Sequence, residues 1–393
     1  TEIDLRALEG PELVASIEAI QAREANTHLD LSEGPLLRAR LLRLEDDAVL
    51  LVAVHHIVFD GWSVGLFLGE IGELYSAFHE GKPSPLAELQ VQYADYAHWQ
   101  RELFRGEVLE AQTAYWRRQL EGVPPLELPT DHPRPEVQTS RGGSERVGLS
   151  QELSDKLKET SQREGVTLFM TLLAAYTVLL HHRSGAEDVV VGSPVATHRD
   201  REELQGVIGC FLNTLALRVD LSGDPSFREL LRRVRRTVLE GFSNQDLPFD
   251  QLVDTLGFRR DVSRTPVFQV LFNHSMPNGR LRFGGLKLSS VELGDPTAKF
   301  DLELATEESG GRIVAMMRYN ADLFDPATVR EILGELETLL LQVAEDPDRT
   351  LPELRLELEE QARARRARAR SEREEALRQG LHGARRKPIT IQT

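Results

Sequence analysis

Five prolines, Pro124, Pro125, Pro129, Pro133 and Pro135, fall within twelve residues about a third of the way along the chain. Each removes a backbone donor and pushes its predecessor out of the helical region, so neither a helix nor a central strand runs through this stretch. The chain must therefore build one folded unit on each side of it. This divides the sequence into residues 1–123, a Pro-rich linker over 124–140, a larger unit over 141–353, and a terminal segment over 354–393. A length of 393 residues agrees with two to three domains.

The formal charge of -16 hides a split. Residues 361–393 hold ten Lys/Arg against three Asp/Glu, a local +7, and the preceding 360 residues carry -23. An acidic body of this kind does not offer the basic face that neutralises phosphates, so no nucleic-acid partner is expected. With 40% hydrophobic and 28% charged residues the body is ordinary globular material. The longest apolar runs, Ala48 to Val54 and Thr167 to Leu180, fall short of the roughly 20 residues that a spanning helix needs. No membrane association is expected. The single cysteine, Cys210, cannot close an internal disulfide or build a thiolate metal cage, which fits a cytoplasmic, metal-free protein. Among apolar neighbours it reads as a small buried hydrophobe. Thr1 to Thr27 has no leader pattern, and the sequence reads as an excised piece of a longer chain.

Hydrophobic periodicity gives a coarse map. Ala48 to Val54 is a β-branched strand, and after Gly61 the apolar residues Val64, Phe67, Leu68, Ile71, Leu74, Tyr75 and Phe78 follow helical spacing until Gly81 and Pro83. Gln92 to Leu120 reads as one helix or a broken pair. Beyond the prolines, helices are expected at 151–164, 167–182 and 227–242. Strands are expected at 188–192, 211–219, 266–273, 283–292, 300–305 and 312–319, and Asp325-Pro326 opens a last helix to about Val343. From Leu354 the residues are good helix formers until Gly380. The fold class is α/β (α+β).

Chemistry concentrates between the first strand and its helix, where His55-His56 is followed by Asp60-Gly61. An imidazole titrates near neutrality and can take a proton from an attacking nucleophile. A simple turn with a satisfied core histidine would look the same, and these residues alone leave both readings open. A metal site is the weaker alternative, because adjacent histidines in strand geometry point to opposite faces and only Asp60 is near as a third ligand. A second pair, His181-His182, lacks the following Asp-Gly and suits a surface or helix-terminal role.

The surroundings narrow the choice. Val-His-His-Ile-Val-Phe-Asp-Gly-Trp-Ser (54–63), Tyr-Ala-Asp-Tyr-Ala-His-Trp-Gln (93–100) and Val-Gly-Ser-Pro-Val-Ala (191–196) come first. They are followed by Ile-Gly-Cys-Phe-Leu-Asn-Thr-Leu-Ala-Leu-Arg (208–218), Asn-Gln-Asp-Leu-Pro-Phe-Asp (244–250) and Arg-Asp-Val-Ser-Arg-Thr-Pro-Val-Phe-Gln (260–269). In order and spacing, over residues of about 30 to 350, this set resembles the condensation domains of nonribosomal peptide synthetases. The family's two opening motifs are absent.

The resemblance implies two chloramphenicol acetyltransferase-like lobes in a V shape around a central tunnel; the helical basic tail over 354–393 departs from the family pattern. It implies amide formation between substrates carried on the phosphopantetheine arms of an upstream donor and a downstream acceptor carrier protein, beside neighbouring synthetase domains. It implies that the domain itself binds no cofactor and no metal. His56 matches the catalytic position, and His55, Asp60 and Gly61 complete the motif. Asp60 is expected to pair with an arginine; Arg218 is the candidate, with Arg199 and Arg264 as alternatives that the sequence does not separate. Gly61 would allow close approach to the free N–H groups of a helix start, or serve a tight turn. Trp62 suits packing and Ser63 a first-turn position, while Asn213 and Gln245 would line the tunnel or make structural hydrogen bonds. Heterocyclization relatives carry an aspartate pattern in place of the histidines, and epimerization relatives continue Asp-Gly-x-Ser-Trp-Arg, so condensation is favoured. The alternative is a catalytically silent module that recruits a carrier protein or a tailoring enzyme.

Overall fold

The computed structural model describes residues 1–258, 261–275, 286, 289 and 297–364. In chain order the first part contains β1 (Glu2–Asp4), α1 (Gly10–Asn26), β2 (Leu37–Arg43), β3 (Ala48–Val54), α2 (Gly61–His79), α3 (Tyr93–Leu103) and α4 (Gly106–Leu120). β1 runs parallel to β2, which pairs antiparallel with β3 through the register Leu37↔Val54 to Arg43↔Ala48. The stretch from Gln92 to Leu120 is a broken pair. The break falls at Gly106, whose φ of +56° lies in the left-handed region that glycine occupies without strain.

The second part contains β4 (Gly142–Gly148), α5 (Gln151–Arg163), α6 (Leu168–Ser184), β5 (Asp188–Ala196), α7 (Glu202–Gln205), β6 (Leu212–Asp220), α8 (Phe227–Ser243) and α9 (Phe249–Leu256). These are followed by β7 (Val270–Ser275), β8 (Leu302–Ser309), β9 (Arg312–Asn320) and α10 (Pro326–Glu345). The strands form one mixed six-stranded sheet in the order β4-β9-β8-β7-β5-β6. α5, α6 and α8 start where the chain supplies caps: the side chains of Ser150, Thr167 and Ser226 accept from the N–H of Leu153, Met170 and Glu229.

Every residue of α6 from Met170 to Leu180 is buried, so this helix is apolar all round and forms the centre of the core. In α8, by contrast, Phe227, Leu230, Leu231, Val234, Val238 and Gly241 make one buried stripe at helical spacing. No single helix among the described residues is long and apolar enough to cross a membrane. The apolar core of the second part is extensive, whereas α1 buries no residue and Phe78 on α2 is 61% exposed.

One expected boundary shifts. The strand expected from 266 begins at Val270, because Phe268 N–H turns back to the Pro266 carbonyl (2.8 Å) and Val267 has a φ of +70°. The strand expected at 283–292 lies outside the described residues, as does the tail beyond 364; residues 351–364 are helical. The proline stretch has no regular secondary structure but is strapped down: Leu126 is buried with its N–H on Gln269 Oε1 (2.9 Å), and Asp131 and His132 donate to the Leu323 carbonyl.

Candidate active site

β3 ends at Val54, and His55 turns the chain. Its N–H donates to the Leu36 carbonyl (2.9 Å) and its Nδ1 accepts from Ile57 N–H (3.1 Å), capping a single 3₁₀ turn over His56–Val58. The His55 ring is thereby used to shape the turn. His56, one residue on, is exposed.

Asp60 closes the turn and opens α2. As N-cap it accepts from Ser63 N–H at Oδ1 (2.8 Å), the local bond that makes an aspartate favourable there. Oδ2 accepts from Phe211 N–H (3.0 Å), and both oxygens lie 3.3 Å from Arg199 Nη2. The pair is buried, with side chains 0% and 4% exposed. Arg199 Nη1 donates to the carbonyls of Leu204 (2.7 Å) and Val207 (2.8 Å), and the guanidinium lies 3.9 Å from the centre of the Phe211 ring. Burial pulls the Arg199 pKa down from its usual value, and Asp60 opposes that shift. Ser63 is buried; its Oγ donates to Gly209 O (2.9 Å) and accepts from Gly209 N–H (3.1 Å). Trp62 Nε1 donates to Gln205 O (3.0 Å) while its ring is half exposed. The first turn of α2 is therefore latched to the loop that runs from α7 into β6.

Arg199, not Arg218, is the arginine that meets Asp60. Arg218 sits on β6 opposite Val190 and reaches Asp188, two residues along the neighbouring strand, at 2.6 Å. Its Nη1 donates to the carbonyls of Gln119 (2.9 Å) and Glu121 (3.0 Å), satisfying acceptors that the end of α4 leaves open. Arg264 binds Glu127 (2.6 Å).

Cys210 also differs from the expectation of a buried hydrophobe. It is only partly buried, and its Sγ lies 3.9 Å from His56 Nδ1. This sulfur is the main influence holding the His56 pKa above the usual imidazole value; desolvation opposes it, and the residue's own carbonyl assists. Nδ1 is thus the ring nitrogen that meets the sulfur, and Nε2 is the one on the far side of the ring.

The loop carrying Cys210 rests on aromatic side chains of α3. Tyr96, Leu204, Val207 and Phe211 form a small buried cluster with Tyr93 and Trp99 against it. Tyr93 Oη donates to the Cys210 carbonyl (2.7 Å), and its burial pushes its pKa up to about 12. Gly209 has no room for a side chain: a Cβ there would stand 2.2 Å from the Tyr93 ring. We expect Gly209→Ala to lower stability by about 1–3 kcal/mol through overpacking, measured by chemical denaturation.

The remaining candidates are placed less centrally. Asn213 donates to the carbonyls of Gln245 and Leu247 (both 2.7 Å) and accepts from Phe249 N–H (3.0 Å), so it fastens β6 to the segment before α9. Gln245 takes part through its main chain. Gly61 has open space before it, with nothing within 4 Å of a Cβ position. His181 and His182 lie at the end of α6, where His181 Nδ1 meets Ala186 O (2.9 Å) and burial lowers the His182 pKa to about 4. Among the described residues no cluster of three or more metal-ligating side chains occurs.

A family profile described as the condensation domain matches residues 1–364. The chain belongs to the condensation-domain family. Among curated relatives, one of the linear gramicidin synthase proteins of Brevibacillus parabrevis is 48% identical over 361 residues, covering 90% of this chain and 7% of that protein. The condensation domain described here thus spans a small fraction of such relatives. Among solved structures, the X-domain in complex with OxyB from teicoplanin biosynthesis superposes with a TM-score of 0.80 at 29% identity, covering 90% of this chain and 78% of that one. The first condensation domain of the calcium-dependent antibiotic synthetase, in complex with a substrate analogue, gives a TM-score of 0.72 at 22% identity over 90% and 76% of the two chains, a likeness of fold.

Proposed function

We propose that this condensation domain joins the acyl or peptidyl group of a donor thioester to the α-amine of an aminoacyl acceptor, both presented on phosphopantetheine arms of carrier proteins. The supporting observation is His56: exposed at the head of a latched turn, with Nδ1 turned to the Cys210 sulfur. The amine nitrogen attacks the thioester carbonyl carbon, the N–H proton passes to Nε2, and the C–S bond breaks as the departing thiolate takes that proton. The thioester is already activated, so the step consumes no nucleotide. A free α-amine has a pKa of about 7.7–8.0, so a neutral fraction exists near pH 7 without assistance. General-base help then adds at the lower end of its usual range, and holding two tethered reactants together supplies more.

The test is incubation of the domain with a donor-loaded and an acceptor-loaded carrier, reading the amide on the acceptor by intact mass. Amide formation is expected, with a rate that falls on acidification. Both the amine, with a pKa of about 7.7–8.0, and His56, whose pKa is raised, must be neutral for the transfer, so the acid limb should lie above the usual imidazole value. Absence of amide across several substrate pairs, with carrier binding retained, would favour a non-catalytic recruiting module. That second reading draws on the likeness to the X-domain found in complex with OxyB.

A further inference from the structure

Cys210 is the sole cysteine of the chain, and its position is held from both sides by the residues that build the His56 turn. Ser63 Oγ grips both the N–H and the carbonyl of Gly209. Asp60 Oδ2 takes the N–H of Phe211. Tyr93 Oη fixes the carbonyl of Cys210 itself. The same latch therefore sets the placement of His56 and of the sulfur that faces it, and the two cannot drift apart without breaking buried hydrogen bonds.

We propose that Cys210 is a positioning residue for His56, its sulfur accepting from Nδ1–H so that Nε2 faces the reactants as the proton acceptor. This rests on the proposed condensation chemistry at His56. A ring held only by its own carbonyl could rotate about its side-chain bonds, whereas a second acceptor on a clamped loop fixes the ring plane. The groups acting on the ring are the Cys210 side chain, whose sulfur contact favours the imidazolium, and Lys299, on the segment before β8, which disfavours it.

The experiment compares the parent, Cys210→Ala, Cys210→Ser and His56→Ala in carrier-to-carrier amide formation across pH, with thermal melts to confirm folding. Cys210→Ala is expected to lower kcat by about tenfold and to move the acid limb to lower pH, because a group favouring the protonated ring is gone. Cys210→Ser, which keeps an acceptor, should recover part of the rate. A Cys210→Ala enzyme with the parental rate overturns the proposal, as does a slower one whose acid limb has not moved, since loss of packing alone gives that pattern. Iodoacetamide provides a readout free of mutational folding effects: alkylation of the single thiol should slow amide formation at least as much as Cys210→Ala does, and a fully alkylated protein with the parental rate overturns the proposal. If His56→Ala is as fast as the parent, the base reading itself fails; if it is slow while Cys210→Ala matches the parent, only the role of Cys210 fails.

Discussion

Replacing Arg199 by alanine is expected to destabilise the domain by about 3–5 kcal/mol, because it leaves the Asp60 carboxylate buried without its counter-ion. Asp60 is 2% exposed and water cannot replace the lost guanidinium without opening the latch. The carbonyls of Leu204 and Val207 lose their donor at the same time. Arg199→Lys should restore little, since an ammonium does not present the forked donors that reach two carbonyls and a carboxylate together. In the double variant Asp60→Asn/Arg199→Met the charge is removed from both sides, and part of the loss should return. A double-mutant cycle in urea measures this coupling. Arg218→Ala is the contrast: the Arg218–Asp188 pair is partly exposed, 26% and 32%, and its loss should cost about 1 kcal/mol. Equal costs for Arg199→Ala and Arg218→Ala would contradict the assignment of Arg199 as the partner of Asp60.

Those two arginines also mark the limit of what the sequence makes legible. The strand-to-helix junction can be read directly, because a β-branched run, an aspartate in capping position and a change to helical period are all local signals. α6 and α8 are legible for the same reason, one by an apolar run interrupted only by Thr171 and Thr177 and the other by a stripe. The partner of Asp60 is a tertiary fact. Arg218 closes a motif and invites selection, yet its strand carries it to Asp188, while Arg199 reaches Asp60 from a loop 139 residues away. Cys210 resembles a core residue because its neighbours are apolar, but the loop turns its sulfur toward His56. β2 reads Leu-Arg-Ala-Arg-Leu-Leu-Arg, an alternation that points the wrong way: Leu37, Ala39 and Leu41 are exposed, while Arg38 and Arg40 turn inward to pair with Glu24 on α1.

The +7 segment over 361–393 lies almost wholly outside the described residues, so its basic character keeps only the reading its sequence allows. The -23 body suits reactants that arrive tethered, for which long-range steering of a free substrate matters little.

The second large effect is expected at His56. Its imidazole meets the Cys210 sulfur at Nδ1, and under the proposed chemistry removing it takes away the proton acceptor without disturbing the buried latch beneath. His56→Ala should therefore melt close to the parent while losing about 100-fold in rate, the lower end of what a positioned base contributes, because the α-amine is already partly neutral. The remaining pH dependence should follow the amine alone. Single-turnover amide formation between a donor-loaded and an acceptor-loaded carrier, compared for the parent and His56→Ala at equal carrier loading, tests this most directly. A loss of about 100-fold with an unchanged melting temperature is the predicted result; parental speed in His56→Ala would contradict the account.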